Sequence, residues 1–78
     1  MITLNNLKVG DTCIIKSVSS KSSMLRRFTD IGLIKNTLVE CVGESPAGDP
    51  KAYLIRGAVI AIRSEDCLDI KTEVCGGA

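Results

Sequence analysis

Between Thr12 and Val18 the chain reads TCIIKSV, a β-branched run entered through the turn signal Val9-Gly10-Asp11. That pattern predicts a first strand behind a lead-in that carries Leu4 and Leu7. After the polar stretch SSKSS the period changes: in MLRRFTDI, Met24, Leu25, Phe28 and Ile31 fall on one arc at about 100° per residue, with Arg26, Arg27 and Asp30 opposite. A short helix is predicted there. Ser22 or Ser23 is placed to accept from a free N–H at its start, and Gly32 ends it. Isolated helices below about 12 residues seldom persist in water, so this one needs a sheet to pack on.

Alternation resumes after Asn36, a residue that tolerates positive φ. Val39 and Cys41 take one face of the next strand, and Leu38, Glu40 and Val42 the other. The runs AYLI and AVIAIR flank Arg56-Gly57, a two-residue turn candidate, and predict a hairpin with Ile60 and Ile62 inward. SED can nucleate a single turn, CLDIKTEV closes as a last strand, and CGGA reads as a flexible tail. The chain is then one domain over 1–74 with a tail at 75–78, its turns marked by Gly10, Gly32, Asn36 and Gly57. The class is mainly β with a small α insert, a barrel or a sandwich. Leu38, Val42, Leu54 and Val59 fall on the second face of the strands. They form a partner or self-association surface unless the helix and the N-terminal segment cover them.

Composition narrows the function. In 78 residues one small core is affordable and a deep enzyme cleft is not. Hydrophobic residues make up 45% but aromatics only 3%, Phe28 and Tyr53 alone, so the core is aliphatic and a stacking platform for bases is missing. The net charge of +1 supplies no basic track for nucleic acid or an anionic membrane. No apolar run approaches the roughly 18 residues of a membrane span, and the start has no signal-peptide pattern; the chain reads as cytoplasmic. With no histidine, a serine or cysteine nucleophile lacks its usual base, so no enzyme is expected. Cys13, Cys41, Cys67 and Cys75 contain no CxxC pair; three read as core thiols, and neither a metal site nor a cofactor is expected.

Two stretches remain as contact candidates. SPAGDP, Ser45 to Pro50, holds both prolines of the chain, and Pro46, Gly48, Asp49 and Pro50 give it reasons for rigidity rather than chemistry. It is either a corner or a partner-binding tip. Lys21, Arg26 and Arg27 form the densest basic cluster. It is either a solvated face with an Arg26 to Asp30 pair or a contact patch.

The order and spacing of LRRFTDIGL, SPAGDP, RGAVIAIR and the later Cys67 to Ile70 stretch resemble the ferrous-iron transport protein A family, FeoA, from about Leu4 to Ile70. Asn36 stands where the family usually has glycine, and Cys67 where alanine is usual. The resemblance implies an SH3-like small barrel of five to six strands with one inserted helix and no chemistry of its own. It implies a partner, the FeoB-type membrane ferrous-iron transporter with its cytosolic GTP-binding region. Contacts would come through Leu25, Arg26, Arg27 and Phe28 of the helix and Pro46, Gly48, Asp49 and Pro50 of the loop. The family also resembles the SH3-like domain of iron-dependent repressors, which makes a regulatory module the alternative. Neither nucleic acid nor membrane insertion is implied, and weak homo-oligomerisation is left open.

Overall fold

The structure is a computed structural model, and it describes residues 2–19 and 21–76. Six strands run in the order β1 (Ile2–Thr3), β2 (Thr12–Val18), β3 (Leu38–Glu44), β4 (Lys51–Ile55), β5 (Ala58–Ile62) and β6 (Ile70–Gly76). A 3-10 turn at Leu4–Asn6 follows β1, helix α1 (Leu25–Asp30) joins β2 to β3, and the single turn α2 (Ser64–Cys67) joins β5 to β6. One antiparallel sheet holds all six in the order β1-β6-β2-β3-β4-β5. Register shifts in β2 against β6 and between Cys41 and Gly43 of β3 interrupt the ladder, and irregularities of this kind bend strands and increase their twist. The sheet curls round one buried face, the small-barrel arrangement expected from the sequence.

Inner positions are those the alternation selects. Cys13, Ile15, Val39, Cys41, Tyr53, Ile55, Ile62, Ile70 and Thr72 are buried from the strands. Leu4 and Leu7 from the lead-in, Phe28 and Leu33 around α1, and Cys67 from α2 complete the core. Each large aliphatic or aromatic side chain so buried contributes about 1.5–3 kcal/mol. Tyr53 ties the core to the lead-in: its hydroxyl donates to the Leu4 carbonyl at 3.3 Å and accepts from the Cys67 thiol at 3.6 Å.

Local rules explain the joints. Gly32, at φ 95°, ends α1, with Gly32 N–H donating to Thr29 O and Leu33 N–H to Phe28 O. These are the paired bonds of a Schellman motif, and buried Leu33 and Phe28 supply its apolar contact. At the other end Ser22 Oγ accepts from Met24 N–H at 3.1 Å, one turn early, and no side chain caps α1 itself. Asn36 at φ 73°, and Arg56 and Gly57 at 49° and 86°, make the expected left-handed turns; the last pair is the two-residue hairpin type whose twist matches the strands.

Two expectations change. β6 continues through Cys75 to Gly76, where Gly76 lies opposite Thr12, so the expected tail is strand up to that point; 77–78 lie outside the described residues. Phe28, expected with Leu25, Arg26 and Arg27 as a contact residue, is 1% exposed, because α1 turns the apolar arc that carries it toward the core.

Candidate partner-binding surfaces

The Ser45–Pro50 loop is built as a closed corner. Gly48 N–H donates to Ser45 O, Ser45 N–H to Pro50 O, and Ser45 Oγ–H to Asp49 O at 2.7 Å. The Asp49–Pro50 peptide is cis. The Asp49 carboxylate reaches across the molecule to accept from Ser64 N–H at 2.8 Å and Ser64 Oγ–H at 3.0 Å. The residue before α2, Arg63, supplies no side-chain cap, so Asp49 satisfies a free N–H of that turn from fifteen residues away, where a negative charge also suits the helix start. Lys51, next along, donates from Nζ to the carbonyls of Leu7 at 2.7 Å and Asn5 at 3.1 Å. Asp49 is therefore committed to the fold, whereas Pro46 and Ala47 stay exposed at the tip.

On α1, Arg26 and Arg27 are exposed and Leu25 is half-buried. The ion pairs among the described residues are Lys16–Glu73 and Arg63–Glu65; the expected Arg26 to Asp30 pair does not form, and both helix arginines keep their charge open to solvent. Met24, Arg27, Phe28 and Ile31 form one wall of a groove of about 360 Å³, whose other wall is Ile60 to Arg63 with Glu65 and Asp66. The structure thus brings the two predicted contact stretches to either side of the same turn. The loop grips α2 through Asp49, and Arg27 of α1 lines the same groove as Glu65 and Asp66.

Of the two alternatives left for the second face of the strands, exposed or covered, the structure has it open. Leu38 is 60% exposed and Val59 64%, with Val42 exposed and Leu54 half-buried between them. Leu54 lies opposite Glu40 on β3 and Val59 on β5. Neither α1 nor the lead-in covers these side chains; both close the core instead. Sequence reasoning missed the Asp49–Ser64 bond and the groove on this face beside Arg56. A signal for the second was present, since an arginine stands in a turn where Asn, Asp and Gly are usual.

The thiols have no reactive arrangement. Burial pushes Cys13 and Cys67 up to about 11 and raises Cys41, which keeps all three protonated at neutral pH, when the thiolate is the nucleophile and the metal ligand. Tyr53 is raised as well, by burial first and by its bond with Cys67. Among the described residues no group of three or more Cys, Asp or Glu is placed to hold a metal ion. No helix of the described residues is long and apolar enough to cross a membrane.

The chain matches the FeoA domain family over residues 2–74. None of the curated proteins compared with it matches in sequence. Among solved structures, a FeoA-like protein from Clostridium acetobutylicum is 27% identical with a TM-score of 0.90, covering 99% of this chain and 90% of the other. The Stenotrophomonas maltophilia FeoA complexed with zinc, described as an SH3 domain protein and a candidate ferrous iron transport activating factor, is 21% identical with a TM-score of 0.82, covering 94% and 91%. A manganese-dependent transcriptional repressor shares the fold at a TM-score of 0.84 and 20% identity, with 94% of this chain matched to 40% of that one.

Proposed function

Because this chain belongs to the FeoA family, matched over residues 2–74, we propose that it is a non-catalytic accessory protein of ferrous-iron uptake, acting in the cytoplasm by contact with an FeoB-type GTP-binding transporter. The family match carries this reading. Three features support it: an aliphatic barrel with no group of three or more metal-ligating side chains among the described residues, thiols held protonated, and exposed residues on α1, at the loop tip and on the outer sheet face. The contact set is Leu25, Arg26 and Arg27 with Pro46 and the neighbouring loop backbone at Gly48 and Pro50; Asp49 holds that loop in place, and Phe28 supports α1 from beneath. A rigid loop loses little entropy on docking.

The test is ferrous-iron uptake in cells lacking the gene. Wild-type protein restores the initial rate, while the Arg26→Glu, Arg27→Glu double variant restores little of it although it folds normally. Uptake indifferent to the deletion sinks the function, and full restoration by the variant removes α1 from the contact. The repressor likeness favours a second reading, a module acting on a metal-dependent regulator. It predicts altered transcription with uptake per transporter unchanged.

A further inference from the structure

A groove of about 520 Å³ crosses the outer face between residues 34–38 and the β4–β5 turn, lined by Ile34, Lys35, Leu38, Glu40, Leu54 and Arg56 among others. We propose that it docks a protein segment carrying a carboxylate beside a bulky aliphatic side chain, and that Arg56 recognises the carboxylate. No lining residue belongs to α1 or the Ser45–Pro50 loop, so the proposal goes beyond the surface assigned above and does not depend on it.

Arg56 breaks a local rule. It occupies the first position of a two-residue turn at φ 49°, a left-handed conformation disfavoured by its Cβ and usually given to Asn, Asp or Gly. Such strain persists where the surroundings impose it and concentrates at binding sites. The Arg56 stem lies close over Gly32, where a Cβ would meet Arg56 Cδ. The bare Cα of Gly32 leaves room for the stem to cross the end of α1, and Arg56 lines the groove there.

Charge and shape select the occupant. Among the described residues neither Arg56 nor Lys35 has an ion-pair partner, and Glu40 is the one carboxylate facing these two cations in the lining. A forked guanidinium matches a carboxylate with two parallel hydrogen bonds. Next to it Leu38 and Ile34 are 60% and 44% exposed, enough apolar surface to seat aliphatic side chains. The lining contains no aromatic ring, so it offers no stacking surface to a nucleobase. A segment with acidic and aliphatic residues side by side fits both features.

The experiment uses the full chain, labelled with nitrogen-15, and a capped hexapeptide of alternating leucine and glutamate, set against its glutamine and lysine counterparts. The glutamate peptide should shift the amides of Ile34 to Leu38, Leu54, Arg56 and Gly57 saturably, the glutamine form should bind about tenfold more weakly, and the lysine form should leave them still. Arg56→Asn separates binding from folding, because asparagine suits the positive φ. Its thermal midpoint should hold or rise while glutamate-peptide affinity falls about tenfold. Equal binding of glutamate and lysine peptides, no saturable shifts, or unchanged affinity in Arg56→Asn overturns the proposal. If Arg56→Asn also loses stability, Arg56→Gln decides, since it retains most of the stem over Gly32: undiminished affinity in that variant overturns the proposal too.

Discussion

Asp49 closes the middle loop from the far side of a turn, and its two bonds to Ser64 make it the residue on which that corner depends. Asp49→Ala leaves the Ser64 N–H without its partner and should cost about 1 kcal/mol, the usual magnitude for a lost helix cap. Urea unfolding measures it, and an unchanged midpoint would assign those bonds no net weight. The buried thiols give a pH dependence whose sign is fixed by the direction of their shifts. Cys13 and Cys67 are raised from 9.0 to about 11 in the fold, so between those values the unfolded chain releases protons that the folded chain keeps. Stability is full below about pH 9 and declines as pH rises toward 11. Denaturant midpoints at pH 8 and pH 10.5 should therefore differ, the higher pH being the less stable, and replacing both cysteines with alanine should shrink the difference. At neutral pH a thiol reagent should modify exposed Cys75 promptly and the three buried cysteines only on unfolding.

At the scale of elements, the sequence was legible wherever a local rule acts alone. The arc of Met24, Phe28 and Ile31 and the stop at Gly32 place α1, and Arg56-Gly57 places the hairpin, since helical period and left-handed turns depend on near neighbours. What was illegible depends on distant partners. Cys75 and Gly76 carry no alternation, and they are strand because β2 lies alongside, Cys13 opposite Val74 and Thr12 opposite Gly76. Phe28 satisfies the helical arc, but a sequence gives no measure of how deeply α1 sinks into the barrel. The bond from Asp49 to Ser64 joins two loops that the sheet brings together, whereas from the sequence the aspartate read as a local turn former. Of the contact set, the exposure of Arg26 and Arg27 was readable and the commitment of Asp49 was not. Because both arginines lie in water without ion pairs, the Arg26→Glu, Arg27→Glu variant should change stability by less than about 0.5 kcal/mol. A larger loss by thermal melting would mean that α1 uses those charges to hold itself in place.

For the whole molecule, the barrel carries α1, the loop tip at Pro46 and Ala47, and the outer sheet face among its exposed surfaces. The first two each border α2, the loop through Asp49 and α1 through the groove it shares with Glu65 and Asp66, and form the surface proposed to dock on the transporter. The most direct measurement is an amide chemical-shift titration of the nitrogen-15-labelled chain with the soluble GTP-binding region of the cognate transporter, under reducing conditions that keep Cys75 from forming intermolecular disulfides. The account predicts saturable shifts clustered on Leu25 to Arg27 and Ala47 to Asp49. A spectrum unmoved at saturating concentration, or shifts confined to the buried core or the β1 edge, would contradict it.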